Sequence, residues 1–432
     1  MALSDEIHDK LTNDDTSDAG DGDEIGSEQD VPRSFTLILI SSFLTKLGDA
    51  IASPKTTLAW VSTAVGAPAY VLGFLVPLRE SGSMIPQLFI GGAIRQLPVR
   101  KWVWVLGSCG QFLCVVGLGL TAWLLEGKAA GWMMLLLVTL FSLARGFSSV
   151  ASKDVLGKTI PRKQRGQLTG WATSAAGLLS IAVGVVLLLP VTGRLDESLL
   201  GVLLVGAGLL WLVAAAVYSQ VPEPVGETGG GRNAVEALRR LNILVSDKPF
   251  RRFVITRALL MCSALSAPFY VALAQQNYGS PAYLLGAFVI SAGVASLVSA
   301  PFWGRLADWS SRTVMAVAAL IAGALGVLAV AVEMMLPALA GQVWFYPLVF
   351  FVLMVAHSGV RLGRKTYVVD LADGNRRTDY VAVSNSVIGV VRLLLGGMGA
   401  LAQLLSVPLV ILAPSVLGLA GAAMSRLLPE VT

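Results

Sequence analysis

The chain has 432 residues, of which 55% are hydrophobic and only 14% are charged, and its mean hydropathy is +0.72. A soluble protein of this length needs far more surface charge, so the composition excludes an ordinary soluble protein and indicates a membrane protein with many spans. The formal net charge of +5 conceals two regions, because residues 1–31 contribute 1 − 11 = −10 and the remainder contributes 31 − 16 = +15.

The first 32 residues form an acidic segment without an apolar core. Lys10 is the only base among residues 1–31. Such a composition is typical of disordered chains, and it lacks the features of a signal peptide. We therefore predict a disordered cytoplasmic tail over residues 1–32.

From residue 33 onward, apolar windows of about 20 residues recur without strand-like alternation, which favours spanning helices over a barrel. We predict twelve spans, arranged as an N-terminal half (33–220), a polar cytoplasmic linker (221–250) and a C-terminal half (251–432). The predicted spans are 34–52, 68–91, 102–125, 130–150, 167–191, 199–220, 253–274, 282–303, 314–335, 343–362, 380–405 and 408–427. Residues 53–65 are predicted to be an outer connection or a helical extension of span 1.

An internal repeat relates the two halves. The sequence GAPAYVLG at 66–73 returns as GSPAYLLG at 279–286, with six of eight residues identical. A repeat near half the chain length is typical of membrane transporters. Of the lysines and arginines on the predicted loops, 21 lie on one side and three, namely Lys55, Lys128 and Arg194, on the other. The positive-inside rule therefore predicts a multi-pass protein of the cell (inner or plasma) membrane with both termini cytoplasmic.

The segment GRLADWSSR, residues 304–312, follows the second span of the C-terminal half. It resembles the loop motif of the major facilitator superfamily. The resemblance covers residues 33–428 and implies an all-α polytopic fold of twelve transmembrane helices in two pseudo-symmetric six-helix halves. It also implies a gating latch made of Gly304, Asp308 and Arg312, in which the aspartate binds a neighbouring helix N-terminus and a basic partner.

The first half departs from that motif, because Arg95 or Gln96 stands where an acid is expected. A symmetrical latch is therefore not expected. The Gly-Pro pair that ends the family's antiporter motif in span 5 is also missing, which argues against a typical drug exporter.

Charged side chains inside the spans are the main functional signal, because each costs at least about 2.5–3.5 kcal/mol at the bilayer centre. Arg79 would lie about 18 Å inside span 2. Its neighbour Glu80 points about 100° away around the helix, so each is expected to have its own partner. The alternative is that span 2 ends near Leu78 and that RESGS is a loop.

Asp49 in span 1 is a second interior carboxylate, and Lys46 lies three residues before it on the same helix face. Two interpretations stay open: a local ion pair, or a carboxylate that faces the central cavity and exchanges a proton. Glu80 could exchange a proton equally well. Asp49 and Glu80 are therefore both candidates for proton coupling.

The remaining interior polar groups are mostly cationic. Arg257 and Arg361 have a simpler explanation, since they could extend to the membrane surface. The predicted substrate-binding residues are Lys46, Arg79, Arg145, His357, Asn385 and Arg392. The lysine and arginines among them exceed the two carboxylates by two positive charges, which an anionic substrate would neutralise.

We therefore predict a secondary active transporter that moves a small or amphipathic organic anion, of the carboxylate or phosphate type, by proton-coupled alternating access. The expected partners are this substrate, protons and membrane lipids, with no nucleic acid, cofactor or metal, and the expected state is a monomer. Two alternatives stay open: a proton-linked exporter of hydrophobic or cationic compounds, and a membrane sensor or adaptor on a transporter fold. No phosphate loop, metal-ligand cluster or activated nucleophile indicates an enzyme.

Overall fold

In a computed structural model of the protein, the described residues are 2–12, 30–85, 94, 96–189, 197–226, 228, 240–371, 375–400 and 406–430. Within these ranges the regular structure is helical, and eleven helices are long and apolar enough to cross a membrane. They correspond to predicted spans 1 and 3–12. Span 2 is represented by the helix Ala69–Met84, and residues 86–93 lie outside the described part. The prediction of an all-α polytopic membrane protein is confirmed.

The helices of the spans, in chain order, are Val31–Ile51 and Thr57–Ala64 (span 1), Ala69–Met84 (span 2), Lys101–Leu124 (span 3), Gly127–Thr159 (span 4), Arg162–Leu188 (span 5), Glu197–Tyr218 (span 6), Lys248–Cys262 and Ala267–Tyr278 (span 7), Ala282–Trp309 (span 8), Ser311–Met335 (span 9), Phe345–Asp370 (span 10), Asn375–Gly396 (span 11) and Val407–Ser425 (span 12). Short helices at Arg240–Asn242, Ile243–Ser246 and Pro337–Ala340 lie in the connections.

Span 1 is longer than predicted and is interrupted at residues 52–56. Residues 57–64, predicted to lie in an outer connection or a helical extension, form a helix whose Trp60 and Val61 are fully buried. Span 7 has the same design, because the 3₁₀ turn Ser263–Ser266 separates its two helices. Of the two alternatives predicted for residues 53–65, the helix Thr57–Ala64 agrees with the helical extension of span 1. The polar run SPKTT ends the apolar window, but the helix that follows packs against the second helix of span 7.

The two halves meet along three pairs of elements: spans 2 and 11, spans 5 and 8, and the second helices of spans 1 and 7. We call the end of the bundle that holds Val31 and Ser425 the terminal side, and the opposite end the far side. On the far side, Gln275 Nε2 of span 7 donates to the carbonyl oxygen of Trp60 in span 1 at 3.3 Å. The far side is therefore closed by contacts between the halves.

Spans 5 and 8 approach closely on the far side and separate toward the terminal side. A β-carbon added at Gly184 would lie 2.6 Å from Ile290, whereas one added at Gly177, nearer the terminal side, would lie 3.4 Å from Leu297. Another two turns along, a β-carbon at Gly170 would meet nothing within 4 Å. The space between the halves thus widens toward the terminal side.

The start of the predicted disordered tail is helical, over Ala2–Leu11. Its His8 is buried, makes a 3.1 Å hydrogen bond to Gln164 through Nε2, and contacts the Phe35 ring edge to face. Trp171 Nε1 donates to the carbonyl oxygen of Leu11 at 3.2 Å. This segment therefore differs from the predicted disorder, because two hydrogen bonds with span 5 and one ring contact with span 1 hold it against the bundle. Residues 13–29 lie outside the described part.

Candidate functional site

Two ion-pair groups lie within the bundle, each around one buried arginine, Arg79 or Arg392. In the first, Asp49 of span 1 accepts from two arginines: Arg79 Nη2 of span 2 at 2.5 Å and Arg145 Nη1 of span 4 at 2.8 Å. The Arg79 guanidinium also lies 3.5 Å from the centre of the Phe141 ring, a favourable cation–π geometry. All four residues belong to the N-terminal half, so this group connects spans 1, 2 and 4 within that half.

The second group crosses between the halves. Arg392 Nη1 of span 11 lies 2.5 Å from Glu80 Oε2 of span 2, and Lys55 Nζ lies 4.0 Å from the other oxygen, Oε1. Arg79 and Glu80 are adjacent in sequence and have separate partners, as their angular separation on a helix requires. Both lie inside the helix Ala69–Met84, so the alternative of a loop at RESGS is wrong.

A cavity of about 240 Å³ lies between the halves, beside these ion pairs. Spans 1, 5, 8 and 10 contribute its walls. Its lining includes four basic residues, Lys46, Lys55, His357 and Arg361, and none of its described lining residues is acidic. His357 is 4% exposed, and its Nδ1 has no hydrogen-bond partner among the described residues. The cavity can therefore supply several donors to one ligand.

The predicted substrate residues divide between the cavity and the ion pairs. Lys46 and His357 line the cavity. Among the described contacts Lys46 has no carboxylate within ion-pair distance, so the local pair with Asp49 does not form; Asp49 binds the two arginines instead.

The three predicted arginines, Arg79, Arg145 and Arg392, do not line the cavity, since carboxylates hold them. Asn385 also lies elsewhere, because its Oδ1 accepts from Arg257 Nη2 at 2.7 Å. Arg257 is buried by this contact and does not extend to the surface.

Two cavity residues were missed as ligand-binding candidates. Lys55 was assigned to an outer loop, because the apolar window of span 1 ends at Ala52. Arg361 was assigned to the membrane surface. A signal for Lys55 was present in the internal repeat, since the continuous apolar character of span 7 indicates that span 1 also continues past residue 52 and carries Lys55 into the bundle.

The three latch residues lie at the junction of spans 8 and 9. Gly304 and Asp308 belong to the last turns of the helix Ala282–Trp309, and the side chain of Asp308 is outside the described part. Arg312 binds the segment after span 12: its Nη1 donates to the carbonyl oxygen of Leu428 at 3.0 Å, and its Nη2 pairs with Glu430 Oε2 at 3.0 Å. The described partner of Arg312 is therefore the C-terminal segment.

The first half carries a similar contact on the terminal side. Glu223, in the sequence Val-Pro-Glu-Pro after span 6, accepts from the backbone N–H groups of Arg100 and Lys101 at 2.6–3.0 Å, and it pairs with Lys158 Nζ at 2.8 Å. A carboxylate at a helix N-terminus satisfies donors that have no partner within the helix. Glu223 thus supplies an acid to the start of span 3, where the loop motif of this half lacks one.

The same dipeptide, Pro-Glu, follows the last span of each half, at 222–223 and 429–430. In both halves the glutamate contacts the beginning of the third span of its half: Glu430 Oε1 accepts from Ser310 Oγ at 3.2 Å. Sequence analysis missed this correspondence, because the two dipeptides lie in regions interpreted as linker and C-terminal end.

We expect Glu223→Gln to lower the free energy of unfolding by about 2 kcal/mol, since the buried carboxylate accepts charge-assisted hydrogen bonds from three donors. Thermal unfolding in detergent measures the loss. Glu430→Gln is the matched control: its side chain is 54% exposed, so its loss is expected within about 0.5 kcal/mol. Equal losses for the two variants would contradict this account.

Comparison with known proteins agrees with this architecture. The sequence profile of the Major Facilitator Superfamily matches residues 38–396. A search of curated proteins finds no match.

Solved structures with the same fold have low sequence identity. A POT family transporter in complex with 5-aminolevulinic acid superposes with a TM-score of 0.70 at 9% identity, over 94% of this chain and 97% of that chain. The nucleoside transporter NupG superposes with a TM-score of 0.67 at 14% identity, over 91% of this chain and 98% of that chain. The xylose transporter XylE from E. coli, in an inward open conformation, superposes with a TM-score of 0.67 at 13% identity, over 92% of this chain and 97% of that chain. Because the family profile covers most of the sequence and the helices have the same arrangement, this chain belongs to the Major Facilitator Superfamily and is a multi-pass membrane transporter.

Proposed function

We propose that the protein is a secondary active transporter of a small organic anion, of the carboxylate or phosphate type. The observation that carries the proposal is the lining of the cavity, where Lys46, Lys55, His357 and Arg361 are unopposed by any acid among the described lining residues. An anion would gain charge-assisted hydrogen bonds there. A cation would meet three like charges at short range, at a cost that the low dielectric increases.

The arrangement of the two carboxylates supports the same substrate class. Asp49 and Glu80 are each held by arginines and do not line the cavity. They balance the charges of the arginines around the cavity and of Lys55, which leaves Lys46 and Arg361 available to a ligand. A cavity smaller than about 300 Å³ suits a ligand smaller than a typical drug.

The contacts between the halves support alternating access about this cavity. The far side is closed by the second helices of spans 1 and 7, whereas spans 5 and 8 separate toward the terminal side. We propose that the ligand enters or leaves on the terminal side in this state. Rocking of the halves would then open the far side and close the terminal side.

Glu80 is the proposed coupling residue, because it is the carboxylate whose ion pair joins the two halves. A proton on Glu80 would remove the attraction to Arg392 and allow spans 2 and 11 to slide past each other. The ion pairs of Asp49 lie within one half. Its protonation would therefore weaken the contacts among spans 1, 2 and 4 without acting directly on the interface between spans 2 and 11.

The test is uptake into proteoliposomes, with a panel of small carboxylates and phosphate esters compared with organic cations. We expect flux for members of the anion class alone. Lys46→Gln and Arg361→Gln are each expected to reduce this flux at least about tenfold, since each removes a charged donor from the ligand. Lys128→Gln, at an exposed position at the start of span 4, is the matched control. Cation flux, or anion flux that neither cavity variant reduces, would contradict the proposal.

A further inference from the structure

The C-terminal half buries three guanidinium groups that do not line the cavity. Arg257 of span 7, Arg364 of span 10 and Arg392 of span 11 are 5%, 7% and 3% exposed. An arginine stays protonated in proteins, so all three are cationic. Among the described side chains only Arg392 has a carboxylate partner, Glu80. Arg257 and Arg364 therefore have no carboxylate within ion-pair distance among the described residues, which is costly in a low dielectric.

The neutral groups around these arginines satisfy them only in part. Arg257 donates to Ser384 Oγ at 2.6 Å and to Asn385 Oδ1 at 2.7 Å. The Nε atoms of Arg257 and Arg364 are buried and have no hydrogen-bond partner among the described residues. This arrangement lacks acceptors as well as negative charge.

The arginines of spans 10 and 11 converge on one atom. Arg364 Nη1 lies 3.3 Å from Met261 Sδ, and Arg392 Nη2 lies 3.2 Å from the same sulfur. A thioether is a weak acceptor and carries no charge. Two guanidinium groups directed at a single thioether are poorly matched to it, because each prefers an anion in that position.

We propose that this point of convergence, between Arg364 and Arg392, is a binding site for a monatomic halide ion such as chloride. The thioether sulfur marks the position, since it is similar in size to chloride and lacks only the charge. Methionine has three rotatable bonds, so Met261 can withdraw when the ion enters. A single atom at this position would accept hydrogen bonds from both guanidinium groups. This geometry favours a monatomic halide over sulfate or phosphate.

The site goes beyond the proposed transport function and does not depend on it, because none of the three arginines lines the cavity. A bound halide would neutralise one of the two surplus charges and connect spans 10 and 11. The ion is thus expected to stabilise the C-terminal half and to leave the preference of the cavity for its ligand unchanged.

The first test follows thermal unfolding of the full-length protein in detergent while sodium chloride or bromide replaces sodium gluconate at constant ionic strength. We expect a saturable rise of about 2 °C or more in the unfolding temperature. Arg364→Gln should abolish this rise. Met261→Leu and Lys46→Gln should keep it, because the former leaves both arginines and the latter alters only the cavity. Equal stability in chloride and gluconate, or a rise lost in Lys46→Gln and kept in Arg364→Gln, would overturn the proposal.

The second test needs no variant. Crystals of the wild-type protein grown with sodium bromide are expected to show an anomalous peak within hydrogen-bond distance of Arg364 Nη1 and Arg392 Nη2. A peak confined to the cavity, or no peak in the C-terminal half, would overturn the proposal even if Arg364→Gln did not fold.

Discussion

Glu80→Gln is expected to abolish accumulation driven by a pH gradient while leaving exchange of substrate across the membrane intact. Glutamine imitates the protonated carboxylate, so the ion pair with Arg392 that joins spans 2 and 11 is lost in every state of the cycle. The halves can still rock, but their movement no longer depends on a proton. Proteoliposomes loaded with unlabelled substrate measure exchange, and liposomes with an imposed pH gradient measure accumulation.

The matched control for this experiment is Asp154→Asn. Asp154 Oδ2 pairs with Arg100 Nη1 at 3.0 Å, and both residues belong to the N-terminal half. The Asp154→Asn substitution removes an ion pair without weakening the contact between the halves. Substrate accumulation driven by the pH gradient should therefore persist. Accumulation retained in Glu80→Gln would contradict the assignment of coupling to this carboxylate.

Asp49→Asn is expected to produce the largest loss of stability, about 3 kcal/mol, because it leaves two arginines without their shared carboxylate. Arg79 is 6% exposed and cannot reach water, whereas the Arg145 side chain is 40% exposed and is partly solvated. The loss is measured as a shift of the unfolding transition in mixed micelles.

A second substitution shows whether the loss is electrostatic. In the Asp49→Asn background, Arg145→Gln should recover part of the stability, since it removes one of the two adjacent like charges. Glu126→Gln, at an exposed position before span 4, should alter stability by less than about 0.5 kcal/mol. A double variant less stable than Asp49→Asn would contradict the electrostatic explanation.

Much of the fold could be predicted from the sequence, because lipid imposes strong rules on composition. Apolar windows, the repeat at 66–73 and 279–286, and the motif at 304–312 together indicated an all-α polytopic bundle of this family. Local composition left alternatives open where tertiary contacts decide the structure. Residues 57–64 follow a polar run, yet packing against span 7 makes them a buried helix.

The residue types of the candidate site could be predicted from the sequence. Which arginine pairs with which carboxylate could be predicted only in part. Interior charges identified Asp49, Arg79, Glu80 and Arg392 as unusual, and adjacent positions on one helix required separate partners for Arg79 and Glu80. The count of charges could not show that all three interior arginines of the predicted site are held by carboxylates. That outcome depends on helix rotation and on distances between spans, which one sequence does not encode in a local pattern.

The role of Lys55 illustrates the same limit. A lysine beyond an apolar window is ordinarily a loop residue, and topology rules count it as such. Here the break in span 1 turns the chain back into the bundle, and the side chain of Lys55 is only 15% exposed, beside Glu80. The basic lining of the cavity therefore comes partly from a residue whose sequence context indicates the opposite location.

The most direct test of the central claim is a binding measurement with chemically matched ligands, each a small carboxylate compared with its neutral amide and with a cationic amine of similar size. Ligand-dependent thermal unfolding of the purified protein reports binding without assuming a direction of transport. The account predicts that only the carboxylates raise the unfolding temperature of the wild-type protein, and that Lys46→Gln combined with Arg361→Gln removes this rise. A rise caused by the amines, or a carboxylate effect that persists in the double variant, would contradict it.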